Sequence, residues 1–456
     1  VELTSEKLQE RLATGARVAQ LELKGERLHF RLLEGQGPQT GWASLKLKEK
    51  LLLKPCSDEL PKEVTSDLPS LFGGFRGIER MALPPHVRLR VATISDIHVD
   101  QKANMEWFQK HLPKKSPETF NVLVLPGDVS DDLEVFKEAM KMFTASFDLV
   151  CYTPGNHDLW LRKKGHLDSL QKLRSLYGLC DALGVRVGPV QLECGSRKVM
   201  LVPLLSFYTS DWDKEPELPW CPEQQKEMVA WMDFRVMKWP QEIQQEVVRR
   251  EGRFQFGKEG TSKTLSELFA QMNEPVLDEV GAMEGTIFSF SHYLPRQELF
   301  PEKRFLLDSC LHKVSGSMAL EEQIRRLKPA VHIFGHTHLT VDLVLEDQRY
   351  LQWALGAPRE QAAMSRAVAD TGLLVLYDSD SDHPVVPVQE TFWGRYFNAG
   401  KRDPQQMCPA PFVRKYFAQM FKDVKLPYDD VFFQTTPNPG SPIESYDGLF
   451  EPRWRM

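Results

Sequence analysis

The sequence lacks several features that would each point to a particular class of protein. It has no apolar run near the roughly 20 residues that a membrane-spanning helix needs. Its seven cysteines are scattered, odd in number and without a Cys-x-x-Cys pair, which favours free thiols over a disulfide framework. We therefore expect an intracellular protein of a reducing compartment, either cytoplasmic or plastid. Because the chain opens with Val1 rather than Met, the presence of an upstream targeting peptide stays an open question.

A strong charge of either sign is also missing. The chain carries 57 basic and 63 acidic residues, for a net charge of −6. No overall positive field exists to attract a nucleic-acid backbone, so we expect no nucleic-acid partner. The hydrophobic content of 42% and the charged content of 26% are typical of a globular protein. At 456 residues the chain exceeds a single core of ordinary size, which predicts two or more domains.

Five short segments place metal-binding side chains directly after apolar runs. The apolar runs, each of which we expect to form a buried strand, are 87–95, 121–126, 148–154, 286–291 and 330–334. The polar segments at their ends are Asp96-Ile97-His98, Gly127-Asp128, Gly155-Asn156-His157-Asp158, Ser291-His292 and Gly335-His336-Thr337-His338. Functional residues in α/β folds collect where strands end and loops begin. The five segments therefore predict one shared site.

The mixture of carboxylates, imidazoles and one amide at these segments fits metal-assisted phosphoryl transfer. Two cations about 3.5–4 Å apart stabilise both ends of an in-line displacement and lower the pKa of a water. One carboxylate must bridge the two ions, and Asp128 is the natural candidate. Mixed nitrogen and oxygen donors suit Mn, Fe, Zn or Ni better than Ca or Mg, which prefer oxygen alone.

In order and in residue type the five segments resemble the motifs of the calcineurin-like metallophosphoesterase superfamily, which read DxH, GDxx, GNHD/E, a lone H and GHxH. The resemblance implies an α/β fold built as a four-layer αββα sandwich. It implies a first metal ion bound by Asp96, His98, Asp128 and His338. It implies a second ion, sharing the bridging carboxylate, bound by Asp128, Asn156, His292 and His336.

The same resemblance gives roles to two further residues. It implies that His157 protonates the leaving oxygen or steadies the transition state, and that Asp158 orients the His157 imidazole through its other nitrogen. The segment after the bridging carboxylate reads GDVSDD and lacks the Arg of Ser/Thr protein phosphatases, so protein phosphatase activity is disfavoured.

Longer stretches are similar to an uncharacterised plant and algal branch of this superfamily. They include FSHYLPRQELFPEKRFL at 290–306 and Pro358-Arg359-Glu360. This similarity concerns family membership and brings no substrate with it.

The N-terminal part of the chain has a different character. Residues 1–54 contain short alternating or apolar runs split by turn residues, which predict a small all-β module. Gly35-Gln36-Gly37-Pro38 with Gly41-Trp42-Ala43-Ser44 resembles an SH3-like accessory module. Binding of a protein partner and simple packing are both open as roles for it. Residues 55–85, which hold several prolines and LFGGFRG, predict a linker.

We predict that residues 86–384 form the metallophosphoesterase domain, with amphipathic helices at 133–146 and 317–328. An insertion at 207–285 is the expected specificity cap, because it lies between a core strand and His292. Its Arg235, Lys238 and Trp239 are candidates to contact substrate, and the alternative is that Trp239 anchors the core. Residues 385–456 predict an irregular tail.

Two classes of function remain open from the sequence. The first is a phosphoester hydrolase, either a phosphatase or a phosphodiesterase, that uses two metal ions and an activated water. The second is a catalytically silent binding or scaffold protein that retains the fold. The intact set of ligands and of His157 favours the enzyme. Substrate, metal identity, oligomeric state and the choice between monoester and diester are not determined by the sequence.

Overall fold

A computed structural model gives the structure of this protein. It describes residues 11–13, 16–25, 27–34, 37–38, 40–47, 50–53, 77–163, 165–220, 231–239, 248–250, 253–255, 265–281, 283–361, 366–410 and 413. The chain divides into two compact units, Val1–Asp67 and Leu68–Met456.

The first unit contains a small antiparallel sheet, as the sequence predicts. Its strands, in the order β1-β2-β3 with a separate β4-β5 hairpin, are β1 (Arg17–Lys24), β2 (Arg27–Glu34), β3 (Thr40–Ser44), β4 (Lys46–Leu47) and β5 (Lys50–Leu51). Leu28, Phe30 and Leu32 alternate along the central strand and are buried, so this strand presents one face to a core. On its other face His29 stacks on Trp42, with ring centroids 4.9 Å apart.

The second unit is built on two main sheets. A four-stranded sheet has the order β18-β7-β8-β9 and a seven-stranded sheet the order β16-β17-β15-β14-β11-β10-β6. Their strands are β6 (Glu79–Ala82), β7 (Arg88–Thr93), β8 (Thr119–Pro126), β9 (Leu149–Thr153), β10 (Val190–Cys194), β11 (Arg197–Pro203), β14 (Thr286–Phe290), β15 (Val331–Phe334), β16 (Val341–Leu345), β17 (Gln348–Gln352) and β18 (Leu374–Asp378). A short separate pair is formed by β12 (Val248–Arg250) and β13 (Arg253–Gln255).

The helices of the second unit vary from long and amphipathic to a single turn. They are α1 (Lys102–His111), α2 (Leu133–Ser146), α3 (Ser169–Leu183), α4 (Asp233–Val236), α5 (Leu265–Val280), α6 (Met318–Leu327), α7 (Pro358–Gln361), α8 (Arg366–Thr371) and α9 (Phe392–Asn398). Both helices that periodicity predicts, 133–146 and 317–328, are confirmed as α2 and α6. Among the described residues, no helix has the length and apolar character needed to cross a membrane.

Alternating burial along the strands explains the layers. In β11, Val199 and Leu201 belong to the core that also holds residues of the four-stranded sheet. Met200 and Val202, one step out of phase, belong to a second core. That second core includes apolar side chains of α5 and α6, while apolar side chains of α2 pack with the first core. The α/β sandwich that the sequence predicts is therefore confirmed, with helices on the outer faces of two packed sheets.

Two regions differ from the sequence-based expectation. Residues 79–82, expected within the linker, form edge strand β6, which pairs in parallel with β10. The run Glu-Arg-Met-Ala is short and half-polar, so it gives no strand signal until the neighbouring strand supplies hydrogen bonds. Residues 392–398, expected in an irregular tail, form α9 with Thr391 as its N-cap. The run KYFAQMF at 415–421, which itself predicts a helix, lies outside the described residues, as do most of residues 1–15, whose sequence predicts a short polar helix.

The carboxyl ends of the parallel strands bring the five polar segments into the same region of the fold. Strands β7, β8 and β9 run parallel to one another, as do β11, β14 and β15 in the other sheet. The carboxyl ends of parallel strands meet at one edge of a sheet. All five apolar runs predicted as buried strands form these elements, which places the five polar segments in neighbouring loops.

Candidate metal centre

The loops after β7 and β8 are joined to each other by backbone hydrogen bonds. The amide of Asp96 donates to the carbonyl of Gly127 at 3.2 Å, and the amide of His98 donates to the carbonyl of Asp128 at 3.0 Å. Asp96, His98 and Asp128 are all buried. The two segments therefore present their side chains to one another because the backbone holds them in register.

Most of the candidate ligands have an uncommon backbone conformation. Positive φ angles occur at Asp96 (50°), His98 (39°), Asp128 (55°), His336 (79°) and His338 (57°). Residues other than Gly seldom adopt this left-handed region, and such residues cluster at functional sites. Despite this strained backbone, ligand atoms of Asp96, His98, Asp128 and His338 lie within 4.8 Å of one another.

The glycines that precede three of the ligands are required by close packing. A Cβ on Gly155 would lie 2.2 Å from Asp128 Oδ1, and one on Gly127 would lie 2.6 Å from His292 Nδ1. A Cβ on Gly335 would lie 2.9 Å from Asp96 Oδ2. Only glycine lets the ligand side chains pass this close to the backbone.

A first group of candidate ligands consists of Asp96, His98, Asp128 and His338. One ligand atom from each lies within 4.8 Å of the others. His98 Nε2 is 2.9 Å from His338 Nε2, and His338 Nε2 is 3.8 Å from Asp96 Oδ1. The Asp96 carboxylate is held in place by the Ser95 hydroxyl at 2.5 Å and by the His336 amide at 2.7 Å. Burial raises the pKa of the Asp96 carboxyl, and the positive charge of His338 opposes that effect.

The His338 ring is oriented by Glu360, whose role the sequence does not indicate. Nδ1 of His338 lies 2.6 Å from Glu360 Oε2, and the same oxygen accepts a hydrogen bond from the Ala357 amide at 3.0 Å. Burial disfavours a charged ring, but the neighbouring carboxylate raises the pKa of His338 to about 9. With Nδ1 donating to Glu360, Nε2 is the nitrogen that faces His98 and Asp96.

A second group consists of Asn156, His292, His336 and again Asp128. His292 Nε2 lies 3.0 Å from Asn156 Oδ1 and 3.3 Å from His336 Nδ1. His336 Nδ1 is 3.2 Å from the same Asn156 oxygen. Three polar atoms from three different loops therefore converge on one small space.

None of these three converging atoms has a hydrogen to offer the others. His292 Nδ1 donates to the Pro126 carbonyl at 3.0 Å, and His336 Nε2 donates to the Val314 carbonyl at 3.0 Å. A carbonyl only accepts, so the nitrogens that face each other carry lone pairs. Burial lowers the pKa of His292 well below its ordinary value and that of His336 to about 3, which keeps both rings neutral. Lone pairs that meet without a proton are the arrangement that a cation stabilises.

Asp128 belongs to both groups through a single oxygen. Its Oδ2 lies 3.9 Å from His98 Nε2 and 3.5 Å from His292 Nε2. Its other oxygen, Oδ1, accepts a hydrogen bond from the His157 amide at 2.9 Å. Burial raises the pKa of the Asp128 carboxyl well above its usual range, and the charges of Asp158 and Asp96 add to this effect. A carboxylate in this position needs nearby positive charge to remain ionised.

His157 lies next to this cluster but is held differently. Its ring stacks on Trp160, with centroids 3.5 Å apart, and meets the His98 ring edge-on at 4.6 Å. The His157 side chain is half-buried, unlike the fully buried His292. The structure therefore places His157 at the border between the candidate ligands and the surroundings.

The contacts of Asp158 correct the role expected for it. Its buried carboxylate accepts hydrogen bonds from four backbone amides, those of Asp128 (2.9 Å), Val129 (2.9 Å), Ser130 (3.0 Å) and Gly155 (2.9 Å). Among the described residues, no hydrogen bond joins it to the His157 ring. Because both carboxylate oxygens are turned toward these amides, Asp158 ties the loop after β8 to the loop after β9 and does not orient the imidazole.

The insertion at 207–285 contributes a residue to which the sequence gives no role. Asp233, in α4, is buried and accepts a hydrogen bond from Asn156 Nδ2 at 3.0 Å. It also accepts from the indole nitrogens of Trp160 at 2.6 Å and Trp231 at 3.0 Å. The indole ring of Trp231 lies 6.4 Å from the His336 ring. The described part of the insertion therefore touches the candidate centre, as its position between core strands predicts.

The three residues proposed to contact substrate, Arg235, Lys238 and Trp239, differ in their burial. Trp239 is buried and packs edge-on against Phe207, with centroids 5.6 Å apart, which supports its interpretation as a core anchor. Arg235 and Lys238 are exposed on the same segment. A further cation, Arg162, lies over the Trp160 ring on which His157 stacks. The Arg162 guanidinium lies 4.3 Å from the Trp160 ring centroid and 3.3 Å from the carboxylate of Asp131.

Two residues close to the candidate ligands, Glu360 and Asp233, receive no role from sequence reasoning, although Glu360 stands in a stretch similar to the plant and algal branch. Both come from short helices, and neither belongs to one of the five segments. The only available signal is indirect. A buried imidazole or amide that serves as a metal ligand needs a partner for its remaining N–H, and acidic residues are the strongest acceptors. Several acidic residues in the chain meet that criterion equally well.

Comparison with known proteins identifies the family of this arrangement. The sequence model of the calcineurin-like phosphoesterase family matches residues 89–339, more than half of the chain. The [acyl-carrier-protein] phosphodiesterase PptH of Mycobacterium tuberculosis is 28% identical over 130 residues. That similarity covers 27% of this chain and 38% of the relative, so this chain matches well under two thirds of the relative's length.

Solved structures resemble the chain more weakly. The crystal structure of phosphopantetheinyl hydrolase (PptH) from Mycobacterium tuberculosis aligns with a TM-score of 0.46 and 16% identity, over 66% of this chain and 100% of that one. A putative 5′-nucleotidase from Staphylococcus aureus aligns with a TM-score of 0.29 and 13% identity, over 58% of this chain and 48% of that one. Neither likeness bears on substrate.

Proposed function

The chain belongs to the calcineurin-like phosphoesterase family, and from that premise we propose that it is a phosphoester hydrolase with a dinuclear metal centre. The observation that carries the proposal is the convergence of lone pairs from His292 Nε2, His336 Nδ1 and Asn156 Oδ1, all within 3.3 Å of one another. A second pair of nitrogens, His98 Nε2 and His338 Nε2, lies 2.9 Å apart, and Asp128 Oδ2 is 3.9 Å from His98 Nε2 and 3.5 Å from His292 Nε2.

The donor atoms fit two first-row transition metal ions. The first ion would be held by Asp96, His98, Asp128 and His338. The second would be held by Asp128, Asn156, His292 and His336. Imidazole nitrogens mixed with carboxylate and amide oxygens suit Mn, Fe or Zn. When bound, two such ions supply charge that polarises a phosphoester and lowers the pKa of a water.

The side chains of the protein itself supply proton transfer and order. His157 is half-buried beside the cluster, and we assign it the role of general acid that protonates the leaving oxygen. Its backbone amide is fixed by Asp128 Oδ1, and its ring is held by the stack on Trp160. These two contacts restrict the imidazole to one face of the cluster. Asp158 fixes the loops from which Asp128 and His157 project.

The proposed substrate class is a phosphoester, with monoesters and diesters both included. The similarity to an acyl-carrier-protein phosphodiesterase over 130 residues makes a phosphodiester on a carrier protein one specific candidate. A terminal phosphate of a monoester needs a cation to bind it, but Arg296 is already paired with Glu298 at 2.6 Å and Glu346 at 2.8 Å. These pairs give no support to recognition of a terminal phosphate by Arg296.

The competing function is a binding or scaffold protein that keeps the fold without turnover. The proximity of the seven candidate ligands and His157 to one another supports hydrolysis. A silent protein needs no half-buried acid beside its ions.

A substrate screen on metal-loaded protein tests the proposal. Protein stripped with a chelator and reloaded with Mn²⁺, Fe²⁺ or Zn²⁺ would be assayed with p-nitrophenyl phosphate, bis(p-nitrophenyl) phosphate, a metabolite panel and a phosphopantetheinylated acyl-carrier protein. We expect turnover only after reloading, with two ions per chain by elemental analysis. Turnover that a chelator leaves unchanged, in protein free of metal, would overturn the dinuclear mechanism. Two bound ions with no turnover across the panel would favour the binding protein.

A further inference from the structure

Asn156 can serve as a ligand only if its amide points in one direction. The oxygen and the nitrogen of an Asn side chain occupy interchangeable positions, and only the oxygen offers a lone pair. In the structure Oδ1 faces His292 and His336 at 3.0 and 3.2 Å. Nδ2 faces Asp233 Oδ1 at 3.0 Å. Both Asp233 oxygens also accept hydrogen bonds from indole nitrogens, so Asp233 acts as an acceptor here and fixes the amide with its oxygen toward the two histidines.

Asp233 is itself fixed by indole donors. Trp160 Nε1 donates to Oδ1 at 2.6 Å, and Trp231 Nε1 donates to Oδ2 at 3.0 Å. Trp160 is also the ring on which His157 stacks. One carboxylate therefore contacts both a candidate ligand, Asn156, and the ring that supports the candidate general acid.

We propose that Asp233 is a positioning residue that completes the second metal site from within the 207–285 insertion, by orienting Asn156 and by holding Trp160 under His157. On this proposal the insertion is part of the metal centre as well as a neighbour of the substrate. The inference rests on the proposed function only for its effect on turnover, because its effect on metal binding can be measured without a substrate.

If Asp233 served only to hold segment 233–239 in place, its substitution would displace that segment. Segment 233–239 is docked onto the body of the unit by other contacts, since the Leu161 amide donates to the Val236 carbonyl at 2.8 Å and the Ser169 amide donates to the Lys238 carbonyl at 2.6 Å. The buried Trp239 anchors the same segment. These contacts do not involve Asp233, so its substitution should leave the segment in place.

The first experiment measures metal binding to Asp233→Asn by titration calorimetry with Mn²⁺ and by elemental analysis at limiting metal. Loss of a partner of this kind typically weakens metal affinity about 10–100-fold. We expect that loss at one of two sites, with the other unchanged, and an altered absorption spectrum of Co²⁺-loaded protein. Asp211→Asn, the same change at an exposed position of the insertion, is the matched control and should bind as the wild type does.

A double-mutant cycle identifies the path of the effect. If Asp233 acts through Asn156, Asp233→Asn should weaken metal binding little further once Asn156→Ala is present, because contacting residues are not additive. Fully additive losses, or two wild-type sites and a wild-type Co²⁺ spectrum in Asp233→Asn, would overturn the inference. Should Asp233→Asn not fold, Asp233→Glu, which keeps the charge and displaces its oxygens, takes its place with the same expectations. Wild-type protein that binds two ions but hydrolyses nothing would refute the proposed function and leave this inference intact.

Discussion

Glu360 Oε2 lies 2.6 Å from His338 Nδ1, so a residue outside the five motif segments sets which nitrogen of a candidate ligand faces the cluster. Burial works against an ionised carboxyl, but the charge of His338 lowers the pKa of Glu360 to about 2. The pair behaves as an ionised carboxylate that holds an imidazole. Carboxylate partners of this kind fix the ring orientation and raise the basicity of the nitrogen that binds metal.

Glu360→Gln should weaken metal binding about 10–100-fold while the fold is retained. The amide oxygen of Gln can still accept from His338 Nδ1, but it carries no charge to raise the basicity of the ring. Competition with a chelator of known affinity measures the loss. Glu118→Gln, at an exposed position, is the control. Equal metal affinities in Glu360→Gln and Glu118→Gln would show that Glu360 does not support metal binding.

His157→Ala should reduce kcat about 10²–10⁴-fold with metal content close to normal. The ring is stacked on Trp160 beside the cluster and does not belong to either converging group of atoms. The reduction should be smaller for substrates with good leaving groups, which need little protonation. Kinetics with aryl phosphates of graded leaving-group pKa, together with elemental analysis, provide the measurement. Metal loss as complete as that of Asn156→Ala would make His157 a ligand.

Asp158→Ala should destabilise the protein by at least about 3 kcal/mol, because it leaves buried backbone amides without an acceptor. Urea unfolding monitored by circular dichroism measures the change. Asp132→Ala is the comparison, since Asp132 caps the N-terminus of α2 through the Glu134 amide at 2.9 Å and such caps contribute about 1 kcal/mol. Equal losses of stability in the two variants would mean that the four amides find other hydrogen-bond acceptors when the Asp158 carboxylate is absent.

Gly155→Ala should displace Asp128 and weaken both metal sites. The added Cβ would lie 2.2 Å from Asp128 Oδ1 and 2.7 Å from the Asp128 amide nitrogen, distances that force the backbone to move. Gly188→Ala is the matched control, because nothing lies within 4 Å of its added Cβ. Metal content and melting temperature are the readouts. Two normal metal sites in Gly155→Ala would show that the loop accommodates a methyl group without displacing Asp128.

The sequence predicts the strands and helices that have a clear period or apolar run, and it places the polar segments at their ends. The αββα sandwich follows from the resemblance to a family, since short apolar runs do not specify how sheets pair. Strand β6 escapes prediction because its four residues alternate between half-buried and exposed positions. Its hydrogen bonds come from β10, which is more than 100 residues away in the chain.

The sequence predicts the ligands of the candidate site but not the residues that hold them, again because those contacts are distant in sequence. Residues that lie in motif segments are recognisable from local spacing, and the structure brings all seven predicted ligands together. The partners of those residues are not local. Glu360 meets His338 across 22 positions, and Asp233 meets Asn156 across 77 positions. The role of Asp158 is misjudged because adjacency to His157 in sequence suggests contact, whereas the turn directs the carboxylate toward the backbone of another loop.

The left-handed backbone at Asp96, His98, Asp128, His336 and His338 limits which residues a randomised library can return at these positions. Asn, Asp and His tolerate this conformation better than other residues with a side chain, and β-branched residues tolerate it least. An alanine scan would therefore combine loss of a ligand with a poorer fit to the left-handed backbone, a conformation that costs any residue other than Gly about 1–3 kcal/mol. Exchange among Asn, Asp and His changes the donor atom alone. The backbone at these positions thus favours Asn, Asp and His, all of which can bind metal. Substitution among the three therefore changes which ion is preferred more readily than it abolishes metal binding.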